Sequence, residues 1–327
     1  VTMRPVTTGP EGPDRSAASP VVTLLAGGVG GAKLAHGFAP LTPDLTVVVN
    51  TADDVELHGL AISPDLDTVM YTLAGIANTQ AGWGLADETY ATLEALGRLG
   101  EDTWFTLGDR DLATHIARTA RLRAGARLSD ITRALSSSLG VGPALLPMTD
   151  ERVATLVDTA AGRLAFQDYF VARGHRDEVL GIVLEGIEHA RPAPGVIPAL
   201  SDADLVVLAP SNPFVSIGPI LAVPGIRTAL AQTRARRIGV SPVVGGRAIK
   251  GPAAAMLASL GHEVSPLGVA RLYTDVLDVL CIDHADRALA PAIEDLGLEV
   301  LVTDAVMHDE ADRPRFAQEL LVAADLA

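Results

Sequence analysis

Residues 21–31 read Val-Val-Thr-Leu-Leu-Ala-Gly-Gly-Val-Gly-Gly, an apolar run with β-branched residues that ends in four glycines within five positions. Lys33 follows, and then Leu34, Ala35 and Phe38 at helical spacing. This order predicts a strand, a tight loop and the start of a helix. Glycine allows positive φ and lets another group come close. The free N–H groups of such a loop and of the first helical turn form an anion site. The loop matches neither the GxGxxG pattern nor GxxxxGK[ST]. By itself it points to a phosphorylated ligand, with Gly27, Gly28, Gly30, Gly31 and Lys33 as the phosphate-binding candidates. The alternative is a tight βα turn with no ligand, but four glycines exceed what a turn requires.

Short apolar strands then alternate with helical segments. Leu45–Val49, Leu205–Ala209 and Arg237–Val240 are predicted strands; segments 68–73, 89–96 and 111–123 are predicted helices. Ser129, ahead of Ile131, Leu135 and Leu139, is a predicted N-cap. Leu205–Ala209 has no polar alternation, as in a strand buried on both faces. The expected fold is therefore α/β, a Rossmann-like, doubly wound, mostly parallel sheet. One stretch breaks the rhythm. Segments 153–157 and 164–166 flank Asp158-Thr-Ala-Ala-Gly162, a hairpin signal, and 180–187 offers a further strand. An inserted α+β subdomain is expected over about 125–195, on a core of about 21–124 and 196–327 that completes a single catalytic domain. Residues 1–20, rich in Pro, Gly, Ser and Thr, are expected to be a disordered leader.

The net charge of -15 argues against a broad nucleic-acid surface, so no nucleic-acid partner is expected. Cys281, the one cysteine, excludes an intrachain disulfide and a cysteine-based zinc site, and its apolar surroundings predict a core residue. No uninterrupted apolar stretch reaches membrane-span length, and no basic segment precedes an apolar one at the N-terminus. A cytoplasmic enzyme without a membrane partner is expected.

The chemistry gathers at strand ends. The second strand runs into Asn50-Thr-Ala-Asp-Asp54, with His58 close behind, and Ser63-Pro-Asp-Leu-Asp67-Thr68 follows. Four aspartates, Asp53, Asp54, Asp65 and Asp67, fall within fifteen residues at the expected carboxyl edge of the sheet. An oxygen-only cluster suits Mg²⁺ rather than zinc. For Asp65 a second reading is open, a carboxylate at a helix N-terminus after Pro64. Arg110 in Gly108-Asp-Arg-Asp111 is a candidate for orienting carboxylates or gripping phosphate. Ser211, Asn212 and Ser216, in the rigid loop after Leu205–Ala209, are further candidates for the nucleotide or phosphate.

Seven segments together carry a resemblance. Gly27-Gly-Val-Gly-Gly31-Ala-Lys33, Val48-Val-Asn50-Thr-Ala-Asp-Asp54, Ser63-Pro-Asp-Leu-Asp67-Thr68, Leu107-Gly-Asp-Arg-Asp-Leu-Ala-Thr-His115, Leu146-Pro-Met-Thr-Asp150, Phe166-Gln-Asp-Tyr-Phe170 and Ala209-Pro-Ser-Asn-Pro213 with Ser216-Ile-Gly-Pro219 resemble the 2-phospho-L-lactate transferases of coenzyme F-420 biosynthesis. The resemblance runs in order over about 21–325; the Ser-Pro-Asp-Leu-Asp-Thr and Gly-Asp-Arg-Asp segments are its specific parts. It implies a donor that is a diphosphoguanosine ester of lactate or, in many actinobacterial members, enolpyruvate. It implies the deazaflavin alcohol Fo as acceptor, release of GMP, assistance by Mg²⁺ and a homodimer.

Residues and resemblance together make Asp67, Asp54 and Arg110 the expected catalytic residues, and the clustering of Asp53, Asp54, Asp65 and Asp67 makes them the expected metal ligands. Asp67 matches the aspartate associated with the deazaflavin. Thr106, where some relatives carry a lysine assigned to that ligand, is the second expected deazaflavin-binding residue, without the charge of that lysine. Lys33 stands where relatives carry Lys or Arg. Two other classes differ in residues. Gluconeogenesis-factor-like, nucleotide-sugar-binding proteins share the glycine loop but depart at Ser-Pro-Asp-Leu-Asp. A NAD-dependent oxidoreductase calls for an acid closing the second strand, where Asn50 stands.

Overall fold

Val22 lies opposite Leu45 on one side and opposite Leu205 on the other, in parallel register with both. The first strand is thus central, with neighbours from distant parts of the chain. The computed structural model describes residues 19–326, so nearly all of the expected 1–20 leader lies outside the described residues. Seven strands, β1 (Val22–Ala26), β2 (Leu45–Val49), β3 (Ala144–Pro147), β4 (Leu205–Leu208), β5 (Arg236–Val240), β6 (Val279–Asp283) and β7 (Glu299–Thr303), form one sheet. Their order is β7-β6-β5-β4-β1-β2-β3, and every pairing is parallel. The chain winds outward from β1 in one direction as far as β3, then crosses back to β4 and continues the other way. Between β1 and β4 the order reverses, and a crevice opens there at the strands' carboxyl ends.

The central strands are largely apolar because helices cover both faces, and the charged residues Arg236, Arg237, Asp283 and Glu299 stand at strand ends. Leu24, Val47, Ile238 and Cys281 join Leu34 and Phe38 of helix α1 (Gly28–Phe38) and Phe316 of the C-terminal helix in one buried cluster. Leu25, Val48, Val206, Leu208, Leu280 and Ile282 turn to the other face and meet Ile220 and Leu257. Cys281 is buried within its strand, with its thiol pushed up by burial, as expected of a core residue.

The hairpin signal is real. Strands Ala154–Thr159 and Gly162–Ala165 pair antiparallel, and Gly181–Glu185 adds to the other side of the first. Two features fall differently from the sequence expectation. Ala144–Pro147, inside the range read as an insertion, is β3 and pairs with β2 in the central sheet. Ser129 lies in the first turn of helix Leu128–Ser138 and caps nothing; its N–H and hydroxyl both donate to Asp150, at 2.7 and 3.0 Å. Among the described residues, no single helix is long and apolar enough to cross a membrane.

Candidate active site at the sheet crevice

The loops after β1 and β4 are locked together across the crevice. The Gly27 N–H donates to Ser211 Oγ at 3.3 Å, and the Ser211 hydroxyl donates to the Gly27 carbonyl at 2.7 Å. A Cβ on Gly27 would stand 2.7 Å from Asp65 Oδ2 and 2.7 Å from Ser216 Cβ. A Cβ on Gly30 would stand 2.7 Å from the Pro210 carbonyl oxygen, and one on Gly31 2.7 Å from Ala26 Cβ. These three glycines allow close packing, Gly27 against Asp65 and Ser216, Gly30 against Pro210, and Gly31 against Ala26. Gly28 alone needs a left-handed conformation, with φ +61° at the first position of α1. Gly30→Val is therefore expected to lower the melting temperature by pushing Pro210 away, in addition to any loss of ligand. A thermal melt that matches the parent protein would refute this.

The carboxylates enter from the β2 end. Asn50, the first residue after β2, donates through Nδ2 to Asp53 Oδ2 at 3.1 Å, Asp65 Oδ2 at 3.0 Å and the Val215 carbonyl at 3.1 Å. Asp65 lies in the first turn of α2 (Pro64–Leu73), yet its Oδ1 accepts from the Gly28 N–H of α1 at 2.8 Å. Its carboxylate thus stands at the N-terminus of a helix other than its own, where the dipole favours an anion. Asp54 accepts from the Ser63 hydroxyl at 2.7 Å. Burial pushes Asp53, Asp54 and Asp65 up, Asp65 to about 6; Asp65 beside Asp53 raises Asp53 further. Asp53 Oδ1 and Asp54 Oδ1 are buried without a hydrogen-bond partner. Such a set of repelling, incompletely satisfied oxygens is completed by a hard cation.

Asp67 faces a different group. Both its oxygens accept from the Arg118 guanidinium, the Nη1 bond at 3.0 Å, and the pair is buried. His115 stands between Asp67 and Asp111, 3.6 Å and 3.4 Å from the nearest oxygens, and the Tyr71 hydroxyl donates to Asp111 at 2.6 Å. Asp67, Asp111 and His115 form a buried group able to hold a metal ion, with ligand atoms within 4.8 Å of one another. The Arg118 charge already balances Asp67, however, and a divalent cation there would have to compete with it.

Arg110 is not beside these carboxylates. It is exposed, and its Nη1 donates to the Ala86 carbonyl at 2.9 Å. The arginine at the aspartates is Arg118. Its signal was present in the sequence, since Asp111, His115 and Arg118 fall at i, i+4 and i+7 on one face of helix α3 (Asp111–Arg123). Thr106 is half-buried on the loop leading into α3. Asn212 caps its own turn, its Oδ1 accepting from Phe214 N at 2.9 Å, while Ser216 is buried beside Gly27. Lys33 lies past the first turn of α1 and donates to the Met307 carbonyl at 2.8 Å. Gln167, in the Phe-Gln-Asp-Tyr-Phe segment, was not anticipated as a site residue; its Nε2 donates to the Asp53 carbonyl at 2.9 Å.

The sequence profile described as 2-phospho-L-lactate transferase CofD matches residues 22–315. The chain belongs to this transferase family. It is 43% identical over 312 residues to a phosphoenolpyruvate transferase of Streptomyces griseus, covering 93% of this chain and 98% of the relative. It is 39% identical over 303 residues to a 2-phospho-L-lactate transferase of Methanosarcina mazei, covering 92% and 99%. The protein is therefore an enzyme of the 2-phospho-L-lactate or phosphoenolpyruvate transferase type. A Bacillus halodurans protein of the upf0052 family shares the fold, with a TM-score of 0.60 at 14% identity over 93% of this chain and 100% of that one. In this member of the transferase family, Asn50 is not a ribose-reading residue of the oxidoreductase kind; it is turned inward to hold two carboxylates.

Proposed function

We propose that the protein moves a phospho-lactyl or phosphoenolpyruvyl group from a diphosphoguanosine donor to the hydroxyl of the deazaflavin Fo, releasing GMP. The observation that carries this reading is the pair Asp53 and Asp65, drawn to one amide at the crevice where α1 begins. Oxygen-rich, incompletely satisfied carboxylates beside a helix N-terminus suit a diphosphate with its metal. Asp53, Asp54 and Asp65 would hold Mg²⁺, which supplies charge neutralisation and Lewis-acid polarisation of the diphosphate. They suit it better than Asp67, Asp111 and His115, because their protein partners are an amide, a hydroxyl and a backbone N–H rather than an arginine.

The protein's own part is positioning. The first turn of α1 and the locked Gly27–Ser211 loops fix one wall for the donor. The acceptor hydroxyl attacks the phosphorus that bears the three-carbon acid; the new P–O bond forms as the P–O bond to GMP breaks. Asp67, bound at both oxygens by Arg118, orients the acceptor rather than taking its proton, which passes to the departing phosphate or to solvent. A cytoplasmic homodimer belongs to the same reading.

Incubation with Fo, Mg²⁺ and each donor in turn tests it. The expected result is a phosphodiester of Fo, identified by mass, together with GMP in equal amount. Consumption of donor with no Fo-dependent product would overturn the proposal.

A further inference from the structure

A basic cleft lies between α1 and α2. Its cavity volume is about 80 Å³, and it is lined by α1, α2, the 75–84 loop and the start of the C-terminal helix, α4 (Asp312–Ala323), with Glu310 just before it. Its basic residues come from separate parts of the chain: Lys33 and His36 from α1, and Arg313 from α4. Lys250 reaches in over Gly82, whose absent side chain leaves it room: a Cβ there would stand 2.3 Å from the Lys250 ammonium. Burial, then Arg313 and Lys250 nearby, hold the Lys33 ammonium below its ordinary value. Like charges are thus gathered in a chain whose net charge is -15.

These cations are poorly compensated from within. Arg313 is 7% exposed, and its Nε is buried without a hydrogen-bond partner, as is His36 Nδ1. The acid nearest Arg313 in ion-pair range is Glu310, at 4.0 Å and itself 72% exposed. Asp312 is turned to Arg315 at 3.4 Å and to the His308 N–H at 2.8 Å. Buried donors left unpaired are costly, and an anion bound among them relieves that cost. Trp83 and Thr72 are also in the lining and add an apolar and a hydroxyl-bearing surface.

We propose that this cleft is a binding site for a small molecule carrying a phosphate or carboxylate group, gripped by Lys33 and Arg313 with Lys250 at the mouth. The inference does not rest on the transfer reading, and it is tested by binding without turnover.

Calorimetric titration of the whole protein in EDTA, with inorganic phosphate and separately with phosphoenolpyruvate, removes metal-dependent binding from the measurement. Saturable binding of at least one probe is expected. Lys33→Gln and Arg313→Gln should each weaken it about tenfold or more, in line with loss of one charge-assisted contact, while Asp54→Asn should leave it unchanged. Binding of both probes identifies a site for small anions in general; binding of phosphoenolpyruvate alone identifies one that needs the carboxylate as well. Lys33 is only half-buried, so Lys33→Gln serves if Arg313→Gln does not fold. Absence of saturable binding by either probe, or unchanged affinity in folded Lys33→Gln, would overturn the proposal.

Discussion

Asp54→Asn is expected to lower turnover by about 10²–10³-fold, the scale set by removing one preorganised electrostatic group from a reaction site, with no loss of melting temperature. The two effects separate for a physical reason. Asp54 is buried, burial raises its carboxyl, and one oxygen has no partner. An amide of the same shape keeps an oxygen for the Ser63 hydroxyl and removes a charge the fold holds at a cost. Activity and a thermal melt, measured on the same preparation with Mg²⁺ and again in EDTA, check both halves. Turnover within threefold of the parent would dismiss Asp54 from the site.

Asp67→Asn is expected to behave in the opposite way, losing about 3–5 kcal/mol of stability as for one partner of a buried ion pair. The substitution leaves the Arg118 guanidinium buried and facing an amide that cannot match both its bonds. Pairing it with Arg118→Met should recover part of the loss, because the orphaned charge is then gone. Urea unfolding of the two single variants and the double variant decides this. A single-variant cost below about 1 kcal/mol would mean that the pair is solvated in solution and does not define the site.

The frame of the molecule was legible because it rests on local signals. The apolar run Val22–Ala26 and the glycines after it could only be a strand feeding a helix; the helix Asp111–Arg123 was legible as well, although the face it buries is the polar one of Asp111, His115, Arg118 and Thr119, and Ile116 is exposed. The residue types of the site were legible too, since aspartates crowd the ends of β2 and the start of α2. What could not be read was which oxygen meets which donor. Arg110 stands next to two aspartates in sequence, yet its side chain runs to the Ala86 carbonyl, while Asp109 accepts from Thr89, Ala91 and Thr92. Arg118 reaches Asp67 from 51 positions away; its place on the face of Asp111 and His115 was visible, but nothing local names Asp67 as its partner. Ala144–Pro147 was absorbed into the insertion because a strand of four residues, one of them proline, carries little pattern; only the register with Thr46–Val49 defines it. The close packing at Gly27 and Gly30 was not legible either, as it comes from Ser216 and Pro210, far along the chain.

The bond between Gly27 and Ser211 spans 184 positions, and that span has a consequence for biosynthesis. β1 gains β2 early in translation, but its other edge waits for Leu205–Leu208 to leave the ribosome. Until then Val22–Ala26, apolar on both faces, presents an open edge of the kind that invites pairing with other chains. The loop carrying Asp53 also waits for Thr155, whose N–H donates to the Ala52 carbonyl at 2.7 Å, and for Gln167. The carboxylates of the crevice are therefore fixed only after residues 155–215 have emerged. Pairings of such long sequence separation are slow to form, so the N-terminal half stays open to wrong pairing until β4 arrives.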